Sequence, residues 1–469
     1  MSNKQNRLDS QFSLISAFWE PQSPDNVVTG ILTNDDDGLT FTTSPQYGYG
    51  IHVDSLASLM RSSESDTVPP VMAMHGFSAD GICTLCRLMQ IGNPGLHDTS
   101  SGHWVEATSY RASVLVCGMH LGGLDDKVLT SARFAYTGLG EWLPSPPNES
   151  WERDYIMLKV PLKDRIVFEL GLRDTKVHVK LIVRGEMTST ENDGGRLTRS
   201  VAFVEIESAH PESLSWYLMI GNRIENFFSL MLGSSVAMET MFVYRTDDSG
   251  HIVSKRKRVV ENLRVFDCVR CTTSQLAHGI ATWLSQPEEF RSVENIALGV
   301  LRKGDLFYET EFLSLTQALE GFHRVSSEPV SIEKTELRRI RRAYAQLLAQ
   351  ENVDQLLASR LCTAMAHAND PTFASRLTEL CSRLSALILM QIHIDPLSFA
   401  AEVAATRNFL THAGSKVPPH RRRKHTEGTA IFFINQKLRA VLRANLLLHV
   451  GLPEEQITSL VVREGTRWR

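Results

Sequence analysis

The sequence predicts an α+β protein in which a β-rich, sandwich-like N-terminal region with one inserted helix precedes an all-α helical bundle. Three observations indicate this class. Short runs rich in β-branched and aromatic residues recur through the first half, separated by turn residues. One helical stripe interrupts them at 212–232, and after about residue 275 the apolar period stays helical. We therefore expect a β-rich domain at 1–275 and a helical domain at 276–469.

The first strands of the β-rich half are expected to pair as hairpins. Two runs flank Asn34–Gly38, where Asp35, Asp36 and Asp37 fit a hairpin turn better than a cation site. Strands this short and regular, without intervening helices, favour a sandwich or open barrel over a parallel sheet. The predicted strands are 27–33, 39–44, 71–77, 82–89, 105–117, 128–136, 155–160, 166–172, 177–183, 201–207, 241–244 and 252–260.

The second half predicts a series of helices separated by proline and glycine breaks. Asp395 and Pro396 suit the N-cap and the first turn of the fourth helix. The helices are expected at 307–324, 332–350, 373–391, 398–412 and 430–450.

Composition and charge limit the classes of protein to consider. With 469 residues, 42% of them hydrophobic and 22% charged, the chain fits a folded protein of two or three domains. No apolar run approaches the ~18 residues of a membrane span, so no membrane partner is expected. Seven cysteines, an odd number, favour a reducing compartment and hence the cytoplasm. Residues 331–469 carry 20 basic and 12 acidic side chains, which suggests that this end meets an anion such as nucleic acid.

The sequence lacks the common nucleotide-binding and hydrolase motifs, and its possible metal-binding patterns are weak. The sequence has no GxxxxGK[ST], HExxH, GxSxG or GxGxxG motif. Glu320 and His323 form half of a di-iron ExxH pattern, for which a polar contact between helices is the better interpretation. Two CxxC pairs could bind zinc, although buried, unreactive cysteines explain them better. These pairs are Cys83 with Cys86 and Cys268 with Cys271.

The segment RNFLTH at 407–412 is the strongest candidate for chemistry. Asn408 and His412 are four residues apart on a predicted helix, so the amide could orient the imidazole. Imidazole can move a proton near neutral pH, and a guanidinium such as that of Arg407 can bind phosphate oxygens. Spacing alone also fits an ordinary surface helix. A basic segment that could bind an RNA backbone follows directly, with Lys416, Arg421, Arg422, Arg423 and Lys424.

RNFLTHAG resembles the Rx4–6H motif of HEPN ribonucleases, and its surroundings resemble the ApeA-like members of that family. In the helical half, the similar segments are Phe312–Glu320, Phe373–Leu377 and Leu446–Ile457. In the first half, they are Phe18–Pro21, Val28–Leu32, His75–Phe77 and Phe227–Leu230.

The resemblance implies a metal-independent endoribonuclease of abortive-infection defence against phage, with no cofactor. By carry-over, Arg407 and His412 are catalytic, Asn408 assists them, and RNA is the substrate. The resemblance also implies a HEPN homodimer, for which Ala400, Ala401, Ala404 and Ala405 offer a face of small side chains. The N-terminal region would sense a phage-derived trigger or restrain activity. Two alternatives remain open: a non-catalytic HEPN module that binds RNA, nucleotide or protein, and a zinc-stabilised adaptor.

Overall fold

The structure is a computed structural model, and the chain divides into two compact units. The first comprises Met1–Phe228, Ser235–Val265 and Thr272–Ser285, and the second comprises Ser229–Ser234, Phe266–Cys271 and Gln286–Arg469. The residues that the structure describes are 10–44, 71–92, 95–97, 104–106, 108–143, 148–152, 155–159, 165–172, 177–189, 196–246, 248–254, 268–302, 306–327, 333–366, 370–411 and 428–465.

Antiparallel strands dominate the described part of the first unit. They are β1 (Phe12–Trp19), β2 (Val28–Asp35), β3 (Gly38–Thr43), β4 (Val71–Ser78), β5 (Gly81–Gly92), β6 (Gly95–His97), β7 (Trp104–Glu106), β8 (Ser109–Cys117), β9 (Leu129–Tyr136), β10 (Asn148–Glu152), β11 (Tyr155–Lys159), β12 (Arg165–Leu172), β13 (Val177–Ser189), β14 (Arg196–Glu212), β15 (Met238–Tyr244) and β16 (Ser249–Val253). The helices that begin in this unit are α1 (Leu139–Trp142), α2 (Leu214–Leu232) and α3 (Thr273–Leu284).

Six of these strands close into a barrel. Their order is β8-β3-β2-β1-β4-β5, and β5 pairs again with β8 along Ser109–Cys117. Alternate side chains face inward, and Phe18, Leu32, Phe41 and Leu85 are buried in the barrel core. The strand pattern favours a sandwich or an open barrel; these six strands instead form a barrel that is closed, because β5 also pairs with β8.

A second part of the same sheet continues from β8 through β16, β15, β9, β14, β13 and β12. Helix α2 packs on it, and the Tyr136 hydroxyl donates to the Gly221 carbonyl at 2.9 Å. A Cβ at Gly221 would lie 2.5 Å from Met238 and 2.7 Å from Phe134, so glycine allows the helix to approach the sheet. The predicted inserted helix at 212–232 is confirmed.

The second unit is helical. Its helices among the described residues are α4 (Glu288–Arg302), α5 (Tyr308–Ser326), α6 (Lys334–Gln350), α7 (Gln355–Ala366), α8 (Phe373–Ser382), α9 (Ala386–Gln391), α10 (Pro396–Thr411), α11 (Gly428–His449) and α12 (Glu454–Gly465). Helix α5 is central, since it contacts α4, α8, α10 and α11. The α+β class, with β structure followed by a helical region, is confirmed.

One predicted helix proves to be two. The expected helix at 373–391 is broken between α8 and α9, where the Ser385 hydroxyl accepts a hydrogen bond from the Ile388 amide at 3.4 Å. A serine that caps a new helix competes with continuation of the old one, which the apolar spacing alone does not reveal. Among the residues that the structure describes, no helix has the length and apolarity needed to cross a membrane.

Candidate active site

Helix α10 carries the start of the RNFLTH segment, and its own sequence defines where it begins. The Asp395 carboxylate accepts a hydrogen bond from the Ser398 amide at 2.9 Å, which lowers the pKa of that carboxyl. Pro396 is the first helical residue, as predicted. The inner face of the helix buries Phe399, Ala400 and Val403, so the last turn, which contains Arg407, is positioned by this packing.

The Arg407 side chain turns back into the helical unit. Its Nη2 lies 2.9 Å from Oε2 of Glu320 on α5. Its Cζ lies 4.7 Å from the ring centroid of Phe373, the first residue of α8. An ion pair and a cation–π contact from two different helices therefore fix the guanidinium in one place.

Glu320 serves two arginines at once. Its other carboxylate oxygen, Oε1, accepts from Arg324 Nη2 at 3.0 Å, one helical turn along α5. Burial opposes ionisation of Glu320, but the hydrogen bonds and positive charges of Arg324 and Arg407 outweigh that effect and lower the pKa of the carboxyl. Glu320 is therefore an anion at neutral pH. The sequence places Glu320 only in the ExxH pattern and gives no sign of its pairing with Arg407.

Asn408 lies on the opposite, exposed side of α10 from the bundle. Ala401 and Ala405 are exposed on the same side, whereas Ala400 is buried and Ala404 is half-buried. The expected face of four alanines is thus corrected to an outer face of Ala401 and Ala405, because helical periodicity puts Ala400 on the buried side of the helix.

The remaining predicted site residues lie outside the described residues. They are His412, Lys416, Arg421, Arg422, Arg423 and Lys424. The distance from Arg407 to His412, and the surroundings of the basic segment, therefore stay predictions.

His323 belongs to a buried polar network that joins α5 to α8. Arg376 Nη1 donates to Nδ1 of His323 at 3.1 Å, so the proton of a neutral ring sits on Nε2, which lies 2.9 Å from Oε2 of Glu379. The hydrogen bond from His323 is the main cause of the lowered pKa of Glu379. The interpretation of the ExxH pattern as a polar contact between helices is confirmed.

Three of the four thiols in the CxxC pairs are buried, and the fourth, Cys271, is half-buried. Cys83, Cys86 and Cys268 are each at most 3% exposed. Burial raises the pKa of Cys83 and of Cys86 to about 12, and that of Cys271 to about 11, so these side chains are protonated at neutral pH. Within the described ranges, no three His, Cys, Asp or Glu side chains form a group that could hold a metal ion.

The acidic turn of the first hairpin also has a structural role. Oδ1 of Asp35 accepts hydrogen bonds from the amides of Asp37 at 2.9 Å and Gly38 at 3.2 Å. Gly38 has a φ of 117°, which glycine adopts without strain. The hairpin-turn interpretation of this acidic segment is therefore confirmed.

Two protein-family models match the chain. The model described as ApeA N-terminal domain 1 matches residues 13–264, more than half of the chain, and the model described as Apea-like HEPN matches residues 313–456. The second match includes Glu320, Phe373 and Arg407 together with the RNFLTH segment. No curated protein and no solved structure matches the chain.

Proposed function

Because this chain belongs to the ApeA-like HEPN family, we propose that it is a metal-independent endoribonuclease that acts in abortive-infection defence against phage. HEPN domains are generally related to ribonucleases, and the HEPN match covers the candidate site. The observation that carries the proposal is the arrangement of Arg407, whose guanidinium is held by Glu320 and Phe373 at the end of α10.

The proposed reaction needs few protein groups because RNA brings its own nucleophile, the ribose 2′-hydroxyl. His412 moves the proton, and Arg407 binds the non-bridging oxygens of the phosphorus as negative charge develops. A guanidinium has five N–H donors, so a pair with Glu320 leaves donors for phosphate. Asn408, four residues before His412, would orient the imidazole. The product would carry a cyclic phosphate.

We further propose that two copies of the helical domain form the working unit. The exposed Ala401 and Ala405 allow a second α10 to approach closely, which would bring two RNFLTH segments into one cleft. The β-rich region would sense a phage-derived trigger, and the protein would act in the cytoplasm, where its RNA substrate is found.

One observation favours a second candidate, a non-catalytic HEPN module that binds RNA, nucleotide or protein. Arg407 already has a carboxylate partner and an aromatic partner, an arrangement that would also suit a purely structural arginine. In that case, His412 would have no chemical role.

Induced expression in bacteria separates the two candidates. If the protein is a ribonuclease, we expect its expression to arrest growth and to fragment cellular RNA. Growth arrest and RNA fragmentation should both be absent in His412→Ala at an equal protein level. His278→Ala, which changes an exposed histidine of α3, serves as the matched control and should behave as wild type. Growth arrest that persists in His412→Ala would favour the non-catalytic module.

A further inference from the structure

Helices α6 and α7 form a hairpin whose connection is closed by local hydrogen bonds. The Asp354 carboxylate accepts hydrogen bonds from the amides of Leu356 at 3.0 Å and Leu357 at 3.1 Å, and so caps the start of α7. The Val353 amide donates to the Leu348 carbonyl at 3.1 Å and closes the end of α6. The two helices pack against each other.

A groove of about 340 Å³ lies along this hairpin. Three arginines of α6 line it, and their spacing of three and four residues puts them on one face of the helix. Two side chains of α7 complete the wall opposite them. The lining residues are Arg338, Arg341, Arg342, Tyr344, Ala345, Cys362 and Met365.

Among the described residues, no carboxylate balances the charge in this groove. None of the lining residues is acidic, and no ion pair within the described part of the chain involves Arg338, Arg341 or Arg342. Their neighbour Arg339 differs, because both oxygens of the Glu336 carboxylate accept from it, at 2.8 and 2.6 Å. Three exposed, uncompensated guanidinium groups make a groove that attracts an anion.

The other residues that line the groove indicate which class of anion it could bind. Guanidinium groups match phosphate oxygens with paired hydrogen bonds, and Tyr344 adds an aromatic ring on which a base can stack. Met365 and Cys362 add apolar surface. A volume of about 340 Å³ suits a nucleotide-sized group. This combination of cations with an aromatic ring is typical of sites that bind single-stranded nucleic acid.

The position of the hairpin in the chain connects it with the candidate active site. The hairpin connects α5 with α8 in the sequence, and these two helices hold Arg407 through Glu320 and Phe373. An RNA strand bound to the α6–α7 hairpin would therefore contact the segment that connects α5 with α8, the two helices that hold Arg407.

We propose that the α6–α7 groove binds the phosphate backbone of single-stranded RNA, with a base stacked on Tyr344. This inference rests on the proposed ribonuclease function, since it makes the groove a substrate-binding surface separate from the reacting groups. Backbone contacts of this kind contribute affinity that depends on salt, without selecting a sequence.

The test measures binding of a fluorescent single-stranded RNA to the full-length protein, in a His412→Ala background so that the RNA stays intact. Arg338→Gln, Arg341→Gln and Arg342→Gln combined should weaken binding at least tenfold near 0.1 M salt. The slope of log affinity against log salt should become shallower by about 2, because each arginine that no longer neutralises a phosphate reduces it by roughly 0.7. Arg339→Gln is the matched control, since Arg339 is paired with Glu336, and it should leave affinity and slope unchanged.

A second variant keeps the test decisive if the triple variant does not fold. Tyr344→Ala should weaken binding about tenfold without changing the salt slope, and Tyr344→Phe should retain wild-type affinity. The inference would be overturned by wild-type affinity and salt slope in the folded triple variant, or by wild-type affinity in Tyr344→Ala. Cleavage of RNA by the unsubstituted protein would in that case still support the proposed function. If the unsubstituted protein does not cleave RNA, the proposed function is rejected. RNA binding that still depends on Arg338, Arg341 and Arg342 would then show that the groove binds RNA in a protein that is not a nuclease.

Discussion

Arg407 is held by groups on two neighbouring helices, and Glu320 provides the charged one. If Arg407 binds the phosphate during cleavage, Glu320 is a positioning residue that keeps the guanidinium in place. We expect Glu320→Gln to lower the cleavage rate by about 10–100-fold, by analogy with the loss that follows when a residue supporting a metal ligand is removed. Rates of RNA cleavage under single-turnover conditions check this.

Arg324→Gln is the control for Glu320→Gln, because Arg324 shares the carboxylate but lies outside the RNFLTH segment. It should retain most activity. Since the pKa of Glu320 is lowered, the ion pair is lost only when the pH falls through that lowered value. The deficit of Glu320→Gln should therefore be constant from about pH 5.5 to 8. Wild-type activity of Glu320→Gln would show that Arg407 needs no such support.

His323 should matter for stability, because both of its ring nitrogens are bonded and its side chain is 4% exposed. His323→Ala leaves the buried Arg376 without one acceptor and opens a cavity, so we expect the free energy of unfolding to fall by about 2–4 kcal/mol. Chemical denaturation measures the change. His278→Ala, at an exposed position, should stay within about 0.5 kcal/mol. An equally small effect at His323 would mean that the network adds nothing to stability.

The basic segment between α10 and α11 is predicted to bind the RNA backbone. Replacing Arg421, Arg422, Arg423 and Lys424 by serine should weaken binding to all RNAs and flatten its salt dependence, by up to about 0.7 for each phosphate that is no longer neutralised. Binding to RNAs of unrelated sequence at several salt concentrations tests this. If the positions of cleavage changed while the salt dependence did not, the segment would instead select sequence.

The sequence predicts where helices and strands begin and end better than it predicts which of them contact each other. Asp395 and Pro396 indicate the start of α10 because capping is a local interaction. The split of the predicted helix at 373–391 is harder to see, since Ser385 competes as a cap within a continuous apolar pattern. The pair of Glu320 with Arg407 joins residues 87 positions apart and depends on helix packing, so no spacing rule reveals it.

The division of the chain into a β-rich and a helical half follows from apolar periodicity, whereas closure of the barrel does not. Closure requires β8 to pair with β5 on one edge and with β3 on the other, and these pairings connect strands that are not consecutive in the sequence. Strand periodicity specifies which side chains face inward, but not which strand becomes a neighbour.

The proposed dimer makes a prediction about the intact protein. Ala405→Arg places a long charged side chain on the exposed face of α10, so we expect it to convert a dimer into a monomer and to abolish cleavage. Light scattering at micromolar concentration gives the mass. Asn295→Arg, on an exposed position of α4, is the control and should remain dimeric and active. A wild-type protein that is monomeric and fully active would reject the dimer.

Metal-independent cleavage of RNA by the RNFLTH segment can be measured with purified full-length protein, single-stranded RNA and EDTA. We expect the wild-type protein to cleave RNA equally with and without the chelator and to leave cyclic phosphate ends. Arg407→Ala and His412→Ala should each abolish cleavage, with folding checked by circular dichroism and stability changes within about 0.5–3 kcal/mol. Cleavage that disappears in EDTA would show that a metal ion is needed, and cleavage that survives in folded His412→Ala protein would place the active site elsewhere.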